Sequence, residues 1–91
     1  MGRLRRVLIA NRGEIAVRIL RACVDEDIET VLAVSQPDRE SLAAMLADRV
    51  ICIGPASATE SYLDINRVVA AAKVTGCDAL HQPCSATLRG V

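Results

Sequence analysis

Residues 5–25 read RRVLIANRGEIAVRILRACVD, and this stretch decides the fold. It opens with a short continuous apolar run, Val7 to Ala10, instead of an alternation, which suits a parallel strand covered on both faces. Asn11-Arg12-Gly13 reads as a turn. From residue 14 to about residue 25 the spacing predicts a helix, with Ile15, Ile19, Leu20 and Cys23 on one stripe and Glu14, Arg18, Arg21 and Asp25 on another. Glu14 with Arg18, and Arg21 with Asp25, are i,i+4 pairs, each worth about 0.2–0.5 kcal/mol when exposed.

The same alternation continues outward. Asp25 to Glu29 reads as a polar connection, and residues 30–35 (TVLAVS) as a second apolar strand ended by Gln36-Pro37. Asp38 is placed to cap a helix running to about residue 47 with Leu42, Met45 and Leu46 inward. Residues 49–53 read as a third strand closed by Gly54-Pro55, and residues 56–62 as a loop. Asp64 is placed to cap a further helix, with Leu63 packing on Val68 as a hydrophobic staple. That helix carries Ile65, Val68, Val69 and Ala72 inward and Arg67 and Lys73 outward, and Gly76 terminates it. Residues 77–81 form a fourth strand candidate, after which neither period persists. The order β-α-β-α-β-α-β calls for an α/β fold with a mostly parallel sheet and helices on its faces.

Composition narrows the function classes. The chain has 91 residues, 52% of them apolar, with 11 basic and 11 acidic side chains. That length allows at most one domain, and the apolar content excludes a disordered chain. No apolar run approaches a membrane span. The basic start leads into too short an apolar run for a secretory signal, so the expected compartment is the cytoplasm. Residues 1–21 hold six arginines against one glutamate, but no aromatic side chain for base stacking, so nucleic acid is not the expected partner. Cys23, Cys52, Cys77 and Cys84 form no CxxC pair, and three of them sit among apolar residues. They read as core cysteines of a reducing compartment, with a zinc site built from two of them and the histidine as the sharper alternative.

Three features invite chemistry. The first strand–turn–helix junction is where a phosphate would sit, but Gly13 is its only glycine, Arg12 is bulky, and Glu14 puts a negative charge in the first turn. Lys73, the sole lysine, falls in mid-helix and belongs to no phosphate-binding loop. His81 is the sole histidine, at the carboxyl end of the fourth strand, where open parallel sheets bind ligands. It reads as a structural, hydrogen-bonded residue on that side, with a catalytic or metal role as the alternative. Arg18 and Arg21 stand one turn apart and read either as solvated surface or as an interface.

Residues 7–23 (VLIANRGEIAVRILRAC) closely resemble the opening of the biotin carboxylase family, the segment that begins the carboxylase half of acetyl-CoA, acyl-CoA and pyruvate carboxylases. Residues 46–55 (LADRVICIGP) and 61–65 (SYLDI), the latter followed by a helix and Thr75-Gly76, are similar too, so the resemblance covers roughly residues 5–81. It implies a Rossmann-like three-layer pre-ATP-grasp domain over residues 1–81, followed by a divergent tail over residues 82–91. The complete enzyme of such a family uses ATP and magnesium to activate bicarbonate and carboxylates biotin on a carrier protein.

The resemblance further implies that the nucleotide lysines, metal-binding glutamates and base lie in later domains, so this chain alone is expected to be catalytically inactive and to bind no cofactor. In bacterial relatives the first helix contributes arginines to a dimer interface, and the matching positions are Arg18 and Arg21. The expected partners are the ATP-grasp portion or other carboxylase subunits, with self-association expected as well. The family continues from its histidine with Pro-Gly-Tyr-Gly. Here His81 is followed by QPCSATLRGV, so the carry-over stops at His81, as in a truncated or frame-altered piece. The alternative is a standalone interaction or regulatory module that binds a carboxylase subunit, and a small nucleotide-binding protein is a third class.

Overall fold

The computed structural model describes residues 4–56, 64–81 and 88–90, the last three by backbone alone. In chain order these form β1 (Arg6–Ile9), α1 (Gly13–Asp25), β2 (Glu29–Ser35), a 3₁₀ turn (Gln36–Glu40), α2 (Leu42–Leu46), β3 (Arg49–Gly54), α3 (Ile65–Val74), β4 (Ala79–His81) and β5 (Leu88–Gly90). The sheet order is β3-β2-β1-β4-β5. The first four strands run parallel, and β5 pairs antiparallel with β4.

The apolar run of β1 is sorted by the strand period of two. Val7 and Ile9 face one layer with Ala16, Leu20 and Cys23 of α1 and Ala43 of α2. Leu8 and Ala10 face the other with Val68, Ala71 and Ala72 of α3. Val31 and Ala33 of β2 join Leu8, while Leu32 and Val34 join Ile9. The expected three-layer α/β architecture is therefore present, with β1 at its centre. Among the described residues no helix is long and apolar enough to cross a membrane.

The helix termini follow backbone chemistry. Asp64 Oδ1 accepts from the N–H groups of Asn66 and Arg67, as expected of an N-cap. At the other end of α3, Cys77 N–H donates to Ala72 O and Gly76 N–H to Lys73 O, with Gly76 at φ +72. This paired closure satisfies two carbonyls that the last turn leaves open. The C-terminus of α1 closes the same way, through Ile28 N–H to Cys23 O and Asp27 N–H to Val24 O. There an aspartate, Asp27, takes the left-handed position at φ +61, one that short polar side chains tolerate.

Several expectations are corrected. Ile15 is 58% exposed, because the buried stripe of α1 runs through Ala16, Leu20 and Cys23 and leaves Ile15 about a quarter-turn off it. The helix expected from Asp38 starts at Leu42: Ser41 caps it by accepting from Ala44 N–H, while Asp38 accepts from Ser35 Oγ. A helix of five residues buries only Ala43, so Leu42, Met45 and Leu46 stay exposed. Ile65 is exposed too, and Arg67 reaches back so that its Nη1 donates to Ile53 O of β3. Cys52 is exposed on the outermost strand. Glu29 belongs to β2 and pairs with Arg6 and Arg49 instead of standing in solvent. The tail, expected to lack period, contributes β5. The loop over residues 57–62, the Leu63–Val68 staple, Tyr62 and Cys84 lie outside the described residues.

A Cβ added at Gly76 would lie 3.0 Å from Arg6 Nη1, on top of the positive φ. Gly76→Ala is therefore expected to lower stability by about 1–2 kcal/mol, measured as a lower urea midpoint with an unchanged slope. An unchanged midpoint would contradict this account of the α3–β4 turn.

Candidate functional site

The chain builds β2 and β3 on one side of β1 and then returns to place β4 on the other side. The helices that leave β1 and enter β4 lie on opposite faces, α1 on one and α3 on the other. At such a topological switch point the connections diverge and leave a crevice beyond the carboxyl ends of the two strands, the usual ligand position in open parallel sheets. Here it lies between the ends of β1 and β4.

Asn11 and His81 meet at this point. Asn11 is the second residue beyond β1 and is buried; His81 is the last residue of β4 and half-buried. His81 Nδ1 lies 2.7 Å from Asn11 Oδ1. The backbone beneath them is fixed by the sheet, since Ile9 registers with His81 and Ala10 N–H donates to His81 O at 2.8 Å. Beside them, Arg12 Nε lies 3.3 Å from Asp38 Oδ2, and Ser35 Oγ donates to the same oxygen at 2.8 Å. A row of polar contacts therefore crosses the carboxyl ends of β4, β1 and β2. Gly13, at φ +60, lets the chain turn straight from this row into α1.

The row is suited to hydrogen bonding and to holding strand ends in register. Arg12 and Asp38 neutralise one another within it, and Glu14 occupies the first turn of α1. Among the described residues, no group of three or more His, Cys, Asp or Glu side chains could hold a metal ion. Cys23 and Cys77 are free and buried in opposite layers, away from His81's ring, and burial pushes both thiols up from their ordinary range.

Arg18 and Arg21 lie on the exposed side of α1, apart from this row. Arg18 Nη2 meets Glu14 Oε1 at 3.1 Å with both side chains largely in solvent, an ion pair worth roughly 0.3–0.5 kcal/mol. The second expected pair does not form: among the described residues Arg21 reaches no carboxylate, and it instead borders two shallow grooves between α1 and α2. One, of about 470 Å³, includes Val17, Leu42 and Ala43; the other, of about 270 Å³, includes Leu20, Val24 and Leu46. Sequence reasoning placed His81 correctly at the strand end but treated Asn11-Arg12 as turn residues only. The available signal was a polar side chain directly after a fully buried strand.

At the opposite, amino ends of the strands a second polar set closes the sheet. Asp78 Oδ2 accepts from Arg5 N–H at 2.8 Å and Arg6 N–H at 3.0 Å. These two backbone bonds hold its carboxyl below the usual carboxylate range. Asp48 Oδ2 similarly accepts from the N–H and the hydroxyl of buried Thr30.

Comparison with known proteins identifies the family. Residues 3–84 match the family model described as biotin carboxylase, N-terminal domain. The biotin carboxylase of Pseudomonas aeruginosa is 59% identical over 78 residues, which is 86% of this chain and 17% of that protein. The alpha subunit of mitochondrial methylcrotonoyl-CoA carboxylase from Dictyostelium discoideum is 45% identical over 76 residues, 84% of this chain and 11% of that one. Among solved structures, Kluyveromyces lactis urea carboxylase superposes with a TM-score of 0.82 at 43% identity, covering 85% of this chain and 7% of that chain. The chain thus spans about a sixth or less of the relatives it matches.

Two measurements check the site's surroundings. Cys52 is expected to react with a thiol reagent in the folded chain, whereas Cys23 and Cys77 react only on unfolding, as read by peptide mass mapping; labelling of Cys77 in the native state would contradict its burial. A carboxyl with a lowered folded pKa stabilises the fold above its unfolded value, near 3.9, and that contribution is lost as pH falls through the lowered folded value. Asp78→Asn is therefore expected to flatten the acid limb of the stability–pH curve below about pH 4. An acid limb of unchanged steepness would remove Asp78 from the explanation.

Proposed function

The chain belongs to the biotin carboxylase N-terminal domain family, and on that premise we propose that it serves as the opening α/β layer of an ATP- and bicarbonate-dependent biotin-carboxylating enzyme. The layer supplies a rigid sheet whose carboxyl end abuts the reaction centre, and the centre itself is built from other polypeptide. The observation that carries this reading is the polar row at the switch point, in which His81 bonds Asn11 and Arg12 is neutralised by Asp38.

The described residues do not fit a magnesium nucleotide. Phosphoryl transfer needs cationic or metal clamps on the moving charge. At the first helix, Arg12 already faces Asp38, and Glu14 would oppose a phosphate. Lys73 lies in the last turn of α3. We therefore assign ATP, magnesium and carrier-bound biotin to the complete enzyme and none of them to these described residues, and route no catalytic step through them. The chain's own role is to hold strand ends in register and to present two surfaces.

One surface is the carboxyl end of the sheet, facing the ATP-grasp portion. The other is the α1–α2 face, where Arg21 stands among exposed Val24, Leu42 and Leu46. Arginine beside uncovered apolar side chains is a composition that interfaces favour, which supports self-association or contact with another carboxylase subunit through this face. A cytoplasmic, reducing compartment accords with the free thiols of Cys23 and Cys77. The reading of the chain as a standalone interaction module rests on the same face and differs in requiring no ATP-grasp partner.

The chain alone is expected to show no bicarbonate-dependent ATP turnover, and to restore turnover when supplied with the remaining portion of a bacterial biotin carboxylase. Turnover by the isolated chain would overturn the proposal. Arg18→Glu with Arg21→Glu is expected to lower the chain's sedimentation coefficient by weakening self-association; an unchanged coefficient would remove the α1–α2 face from the account.

A further inference from the structure

The Asn11–His81 contact carries more than register. Asn11 Oδ1, the atom 2.7 Å from His81 Nδ1, bears no hydrogen. In this orientation of the Asn11 amide the proton of that hydrogen bond sits on Nδ1, and a neutral imidazole with its proton there has a bare lone pair on Nε2. We infer that Asn11 is a positioning residue that fixes His81 in the Nδ1–H tautomer, so that Nε2 stands at the β1–β4 switch point as an acceptor for an N–H or O–H donor. This inference rests on the reading of the chain as one layer of a carboxylase.

Three observations support it. The sheet holds the backbone of His81, through the Ile9–His81 register and the bond from Ala10 N–H to His81 O, and Asn11 follows directly on Ala10. Asn11 is only 7% exposed, so water competes poorly for its oxygen. Among the described residues, no other side chain or backbone group bonds the His81 ring, which leaves Nε2 available. An acceptor lone pair repels phosphate or carboxylate oxygens and selects neutral or cationic donors. The same end that lacks an anion clamp therefore has a donor-reading atom.

The test reads the tautomer directly. In the ¹⁵N-labelled 91-residue chain at about pH 8.5, well above the ordinary imidazole range, two- and three-bond ¹⁵N–¹H correlations distinguish a protonated Nδ1 from a protonated Nε2. The wild-type chain is expected to show the Nδ1–H form. Asn11→Ala should shift the ring toward Nε2–H, and Asn11→Asp, which keeps an oxygen acceptor, should retain Nδ1–H. A wild-type ring protonated on Nε2, or an Nδ1–H form that survives Asn11→Ala, would overturn the inference. The wild-type measurement decides even where Asn11→Ala fails to fold. Adding the remaining portion of the enzyme, first alone and then with its substrates, should move the Nε2 resonance at the step that brings the donor. Movement at the first step assigns the donor to polypeptide and at the second to substrate, and no movement at either removes the acceptor role. Failure of reconstituted turnover would instead strike the carboxylase reading, leaving the tautomer result intact.

Discussion

β1 is hydrogen-bonded on both sides and covered on both faces, and the rest of the molecule is arranged around that constraint. Leu8, Ile9 and Ala10 have no exposure at all. A parallel strand cannot meet its neighbours by hairpins, so every connection to it must cross over a face of the sheet. With β2 on one side and β4 on the other, the crossovers lie on opposite faces, and the four-residue strand gains two apolar layers. The crevice at the β1–β4 carboxyl ends is a geometric result of that path. The polar row occupies it because the buried run stops at Ala10 and a side chain able to bond across the strands follows at once.

The two ends of the sheet are finished differently. At the amino ends, Arg6 joins three elements: its Nη1 donates to Thr75 O at 2.7 Å, its Nη2 pairs with Glu29, and its own N–H donates to Asp78. Among the described residues its buried Nε has no hydrogen-bond partner, so the anchoring carries a desolvation cost that the two terminal nitrogens offset. Thr30 and Asp48 tie β2 to the start of β3 by reciprocal bonds. These contacts bond backbone groups that the strand and helix ends would otherwise leave open. The carboxyl ends, by contrast, carry side-chain-to-side-chain contacts of mixed exposure, which can be rearranged by a neighbour at smaller cost. Backbone anchoring is concentrated at one end and side-chain contacts at the other, the end where open parallel sheets bind ligands.

Much of the fold was legible in the chain because its signals are local. The unbroken apolar run at Val7, Gly13 and Gly76 at turns that need positive φ, and Asp64 at a helix start each have one physical reading. What escaped was decided by competition or by distance. Ser41 and Asp38 are both plausible caps, and the bond from Ser35 Oγ withdrew Asp38. Hydrophobicity alone directs Ile15, Leu42, Met45 and Ile65 inward, but small residues one position away, such as Ala16 and Ala43, fit the close approach of helix and sheet. Arg6–Thr75 and Asn11–His81 span about 70 residues of sequence, so no window along the chain could pair them. The family resemblance supplied what periodicity could not, namely the family to which the chain belongs.

The central claim is that β1, clamped between β2 and β4, is the immobile centre of this domain and that the switch point stands on it. Amide hydrogen exchange of the folded chain tests this most directly. Buried, doubly paired strands exchange only through the largest openings of a structure, and edges exchange through small ones. The account predicts that the amides of Leu8, Ile9 and Ala10 are among the slowest in the chain, with Ala10, bonded to His81 O, slower than those of β3 at the sheet edge. An Ala10 amide that exchanges as fast as those of β3 would contradict it.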